Sequence, residues 1–174
     1  MPATPTTPTT PTTRDHEEGQ AMTTFDTPAP IAAAVDITTG HVHIRATDRT
    51  DTVVEVRPTV ASESADVQAA EETRVELVNG RLTVTAKRHK LRSLLGRTPS
   101  VDVLIDLPSG SSADVSAWAA IRCDGRLGDL DANSGIGTVE VEEAARLKAR
   151  TAAGDVIVGR AGGPSDVSSA SGKI

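Results

Sequence analysis

The sequence predicts an all-β fold: a β-solenoid stack of single-stranded, right-handed β-helix-like coils, preceded by β-hairpins and one short helix. Three observations lead there. The first is a repeat: Leu130-Asp131-Ala132-Asn133-Ser134-Gly135-Ile136-Gly137-Thr138-Val139-Glu140-Val141 is echoed seventeen positions later by Leu147-Lys148-Ala149-Arg150-Thr151-Ala152-Ala153-Gly154-Asp155-Val156-Ile157-Val158, and again from Val167 to Ile174. Repeats of this length in a β-rich chain fit coils that bury one another's faces. The second is the phrase Gly-x-apolar-x-apolar at Gly137, Gly154 and, cut short, Gly172. Glycine permits the positive φ of a tight turn into a strand, and the alternation after it sends the valines to one face. The third is charge: Asp131 falls at the period of Lys148, Glu143 at that of Arg160 and Asp155 at that of Lys173. Stacked in register, such pairs would stand about 4.8 Å apart and attract. An antiparallel β-meander or sandwich is the alternative, and would place the same positions two strands, about 9.6 Å, apart.

In chain order, residues 1–21 form a Pro/Thr-rich tract followed by Arg14-Asp15-His16-Glu17-Glu18. It offers too little apolar surface to offset its conformational entropy, so a disordered tail is expected, with the β domain at 22–174. Within that domain, 29–107 reads as a hairpin part. Ile31, Ala33, Val35 and Ile37 alternate, Thr38-Thr39-Gly40 reads as a hairpin-like turn, and Val42 and Ile44 resume the glycine phrase. A strand over Val53 to Val56 ends at Pro58. Ser64 to Arg74 is the helical candidate, with Ser64 as cap and Asp66 in the first turn. Strands at Val75–Val78 and Leu82–Thr85 flank Asn79-Gly80, a strong hairpin turn. Val101, Val103, Ile105 and Leu107 share a strand face before Pro108-Ser109-Gly110 turns the chain into the coils at 112–174. Ser112 to Leu130 reads as a degenerate coil, with Ile121 and Cys123 in the places of Val139 and Val141.

Composition limits what such a domain can do. One Phe, one Trp and no Tyr leave the core to Val, Leu, Ile and Ala, and weigh against two functions: single-stranded nucleic-acid grooves, which stack rings on bases, and sugar sites, which commonly offer a flat apolar face. A net charge of −6 opposes duplex nucleic-acid binding. With no run of eighteen apolar residues and no apolar leader segment, a soluble cytoplasmic protein is expected. Cys123 cannot form an internal disulfide and reads as an inward-facing apolar residue.

Candidate chemistry is sparse. Asp102 and Asp106 share a strand face, but four strand residues separate them by about 13 Å, beyond the roughly 5–9.5 Å of glycosidase carboxyl pairs. His41 and His43 share a face without an identifiable third metal ligand, and read as solvent-facing residues of an edge hairpin. The glycine phrases match neither a phosphate loop nor a calcium repeat. Trp118 is expected to cap the core, with a contact surface as the sharper reading. Lys87, Arg88, Lys90, Arg92 and Arg97 form a basic cluster, expected as a solvated loop, with an anionic-partner or membrane-surface patch as the alternative.

Gly125-Arg126-Leu127-Gly128-Asp129-Leu130, then Arg150-Thr151-Ala152-Ala153-Gly154-Asp155-Val156 and Ala170-Ser171-Gly172-Lys173-Ile174, resemble the bacterial adhesin-like domains of unknown function common in actinobacteria. The family's recurrent Thr-Ala-Ser-Gly-Asp-Val stands here as Thr151-Ala152-Ala153-Gly154-Asp155-Val156. The likeness covers most of 22–174, including Val35 to Val56 and the strand before Pro108. It implies a β-solenoid-like domain named for adhesion by analogy, with no reaction, cofactor or catalytic residue to carry over. Family members carry further coils, so a fragment is expected, self-associating or fraying from Ser165 onward. The expected function is a non-enzymatic structural, scaffolding or interaction module for a protein or surface partner. A carbohydrate-active β-helix enzyme is the alternative.

Overall fold

The computed structural model describes residues 12–13, 21–86 and 98–174. Side chains alternate between buried and exposed along nearly every strand, the period-2 pattern of chains with one face on an apolar interior. The strands are β1 (Thr12–Thr13), β2 (Ala21–Asp26), β3 (Ala32–Thr47), β4 (Asp51–Pro58), β5 (Arg74–Val78), β6 (Arg81–Thr85), β7 (Val101–Pro108), β8 (Ser112–Ile136), β9 (Val139–Ala153), β10 (Val156–Ala161) and β11 (Ser165–Ser169). The helix is α1 (Ser64–Glu72). The fold is therefore all-β with one short helix, in a mixed sheet ordered β1-β2-β4-β7-β3-β8-β9-β10 that does not close on itself. β11 adds to β9, and the hairpin β5–β6 adds to β3. Of the expected tail, Thr12 and Thr13 pair antiparallel with Thr24 and Thr23 of β2, Ala21 opens β2 opposite Val56, and the rest lies outside the described residues.

Pairing among the repeats is parallel and direct. Val156 is the register partner of Val139, which is the partner of Ile121, which is the partner of Val42. No strand stands between Val139 and Val156, as a meander would require. Cys123 pairs with Val141, as the degenerate-coil reading expects. Farther along, Leu130, Leu147 and Ser165 form another in-register column. The apolar members of these columns fill the interior: Val42, Ile121, Val139, Leu130 and Leu147 are all buried. With each such aliphatic side chain contributing about 1.5–3 kcal/mol, a core almost without rings is sufficient.

Three expectations need correction. The hairpin-like start over 31–44 is a single bent strand: Ala32 to Ile37 lies on Ser112 to Ala117, and Thr39 to Ala46 on Trp118 to Gly125. Each half finds its hydrogen bonds in β8 and in β6 or β7, so nothing draws the chain back on itself. For the same reason His41 and His43 lie on a central strand rather than an edge hairpin. Ser64 is the first helical residue rather than the cap; Glu63 holds that place without a side-chain hydrogen bond. The helix is anchored instead by buried Asp66, whose carboxylate accepts the backbone N–H of Val60 at 3.1 Å and of Ser100 at 2.9 Å. The Asn79-Gly80 hairpin forms as expected, with both residues at positive φ.

Candidate functional site

The glycine phrase is built by close stacking. Gly137 and Gly154 have φ of 128° and 146°, and Gly172 repeats the turn at 154°. A Cβ on Gly154 would lie 2.2 Å from the Gly137 carbonyl oxygen, and one on Gly172 would lie 1.9 Å from that of Gly154. Turn sits on turn. Beside them a hydroxyl column caps the corner carbonyls: Ser134 donates to Ala119 O at 2.8 Å, Thr151 to Gly137 O at 3.1 Å and Ser169 to Gly154 O at 2.8 Å. These groups are scaffold, and they hold the outward residues of successive strands side by side.

One outward face is acidic and basic by turns. Asp102 accepts from His41 Nδ1 at 2.9 Å, and Asp124 accepts from His43 Nε2 at 2.6 Å. Arg45 grips Asp106 through two bonds of 2.5 and 2.7 Å, and Arg49 pairs with Asp51 and reaches Asp106 at 3.4 Å. Arg122 spans Asp124 at 3.1 Å and Glu140 at 3.3 Å. Burial pushes the Asp124 carboxyl up, but the hydrogen bonds from His43 and Arg122 more than offset this and hold it below its ordinary range. His41, His43, Arg122 and Glu140 line a cleft of about 300 Å³ whose charges already answer one another. Among the described residues, no three His, Cys, Asp or Glu groups are placed to hold a metal ion. Asp102 faces the His41 ring and Asp106 the Arg45 guanidinium on β3, so each carboxylate has its own partner and the two do not form a dyad.

Of the three charge pairs read from the repeat, Asp131 and Lys148 meet at 3.5 Å. Asp155 instead accepts the backbone N–H of Lys173 at 2.8 Å. Glu143 and Arg160 are register partners, and among the described residues no ion pair joins them. Sequence reasoning missed Arg146–Asp129 at 3.9 Å, whose signal was the same seventeen-residue, opposite-sign spacing as Asp131 and Lys148. It also missed Arg150–Asp166 at 3.2 Å, a diagonal pair outside the register, in which Asp166 stands opposite Lys148. The Lys87, Arg88, Lys90, Arg92 and Arg97 cluster lies outside the described residues.

The second outward face carries Trp118, and here the structure overturns the core-cap expectation: the side chain is 64% exposed. Trp118 follows an alternation in which the even-numbered positions of β8 at this point face out. Its indole lies on Gly135, where an added Cβ would meet Cδ2, Cε2 and Cγ at 2.7, 2.9 and 3.0 Å. Near-equal distances to three atoms of the five-membered ring put its face, and not its edge, over the glycine. A groove of about 490 Å³ runs alongside, lined by Ser116, Asn133, Gly135, Arg150 and Ala152 as well as Trp118. Cys123 takes no part in either face; burial pushes its thiol up to about 12.

No protein-family model matches the sequence, and no curated protein does. Solved structures show distant likenesses. One from Parabacteroides distasonis, named for lipid binding, is 11% identical with a TM-score of 0.48, over 86% of this chain. This chain spans 60% of that protein's length. A cell adhesion protein by name from Clostridium sporogenes is 7% identical with a TM-score of 0.38, over 89% of this chain and 100% of that one. An adhesin by name from Parabacteroides distasonis is 13% identical with a TM-score of 0.40, covering 86% and 69%. Likenesses this distant carry nothing about what the present chain binds.

Proposed function

We propose that the chain is a non-enzymatic, adhesin-like interaction module: a β-solenoid-like winding whose stacked strands display flat, rigid outer faces to a partner. The observation that carries this reading is the column Val42–Ile121–Val139–Val156, paired directly and in parallel. Side chains pointing out from such a column repeat at the strand spacing of about 4.8 Å, which suits recognition of an extended or repetitive surface. On the first face the carboxylates are paired with histidine and arginine side chains, an arrangement that stiffens a surface. The second face keeps an open ring and a groove.

The competing reading is a polysaccharide-cleaving enzyme. Incubation with a panel of plant and microbial polysaccharides, followed by reducing-end and product analysis, separates the two. The module reading expects retention of the protein on a target surface without product; sustained turnover abolished by no scaffold-neutral variant but by loss of Asp102 or Asp124 would replace it with the enzyme.

A further inference from the structure

We propose that the Trp118 groove is a saccharide-binding site, with the indole as the stacking platform and Asn133, Arg150 and Ser116 as its polar rim. The proposal deepens the module reading and rests on it for the absence of turnover. Its main support is the way the ring is held. Gly135 clamps one face of the five-membered ring, since any side chain there would have to occupy the ring's own space, and the ring remains 64% exposed. A seated, outward aromatic face is costly to leave in water, and its negative face attracts polarised C–H groups. The C–H face of a pyranose ring fits it.

The rim points to the same class. Among the described residues, neither the Trp118 indole N–H nor the Asn133 amide has a protein hydrogen-bond partner. Arg150 gives one N–H to Asp166 at 3.2 Å and retains others of its five donors. Its charge is already met by Asp166, which favours neutral sugar hydroxyls over an anionic group. Gly135 and Ala152 keep the floor low, and about 490 Å³ lies within the range of small-ligand sites.

Other occupants fit less well. A peptide adding itself as a strand needs an open edge, but at Trp118 β8 pairs with β3 on one side, and its own later residues Ser134 and Gly135 lie against Ala119 and Trp118. An acyl chain needs a continuous apolar strip, whereas Ser116, Asn133 and Arg150 interrupt the apolar lining of Ala117, Trp118 and Ala152. Stacked nucleic-acid bases would bring phosphates toward a chain of net charge −6.

Trp118 is the only tryptophan, so its emission reports this site alone. Titration of the full chain with cellohexaose, chitohexaose, maltohexaose and oligogalacturonate should produce a saturable blue shift with at least one neutral sugar. Isothermal calorimetry with that sugar should show about a tenfold or greater loss of affinity in Trp118→Ala and a smaller loss in Asn133→Ala, with unfolding midpoints close to the parent's. Gly135→Ala should weaken binding too, by lifting the ring from its seat. No shift with any sugar, or undiminished binding in Trp118→Ala, would overturn the proposal. If no shift and no product are found, the saccharide site fails and the module reading stands. If product accumulates, the module reading fails, and the calorimetry of Trp118→Ala still decides whether this groove holds the sugar.

Discussion

Gly154 shows how a single hydrogen in place of a methyl group lets two turns touch. Its Cβ would fall 2.2 Å from the Gly137 carbonyl oxygen, at a φ of 146° that L-residues rarely adopt. Gly154→Ala should therefore cost at least about 2 kcal/mol in urea unfolding. Gly80→Ala, with φ of 72° and nothing within 4 Å of the added Cβ, should cost about 1 kcal/mol. Equal costs at the two positions would show that stacking is not what selects Gly154. Asp124 makes a pH prediction. Its carboxyl is held below the ordinary range, so it protonates more readily in the unfolded chain; its stabilising contribution is present above about pH 4 and is lost as pH falls through the lower folded value. Asp124→Asn should flatten the acid limb of the stability profile measured from pH 6 down to about pH 2. Cys123, buried and with its thiol pushed up to about 12, should resist alkylation at pH 8 until the chain unfolds, which mass spectrometry would record.

At the scale of elements, α1 shows why a cap was misread. Ser64 preceded an acidic first turn and looked like the classical arrangement, but nothing in the sequence revealed that Asp66 would be buried against the backbone of Val60 and Ser100. That contact joins residues 34 positions apart, and propensity rules see only neighbours. Asp66→Ala strips two buried N–H groups of their acceptor and should cost about 2 kcal/mol or more, with the loss visible as faster amide exchange at Ser100. The Asn79-Gly80 hairpin was legible because its turn chemistry is local. β3 was not, because Thr38-Thr39-Gly40 supports a reversal or a corner equally well; only the distant partners on β7 and β8 choose the corner. Trp118 escaped for a different reason: Gly135, which seats the ring, stands one repeat of seventeen positions away but has no side chain to announce a contact.

For the whole molecule, the repeat from Leu130 onward carried the most structural information, since apolar residues and glycines recur together every seventeen or eighteen positions; direct pairing of Val139 with Val156 then chose the parallel stack over the meander. The same logic reached too short a distance upstream. Val42 and Ile44 stand in register with Ile121 and Cys123, although each pair is 79 positions apart in sequence. The antiparallel side, β1-β2-β4-β7, has no repeat to betray it, and makes the sheet mixed. Of the candidate site, the charged columns were partly readable and the groove was not. A function argued from flat stacked faces stands only if those faces exist. Methyl-selective nuclear Overhauser spectroscopy on the full chain tests that most directly. Val139 should give strong mutual contacts with both Val156 and Ile121, and Ile121 with Val42; a third residue interposed between Val139 and Val156, with their direct contact absent, would contradict it.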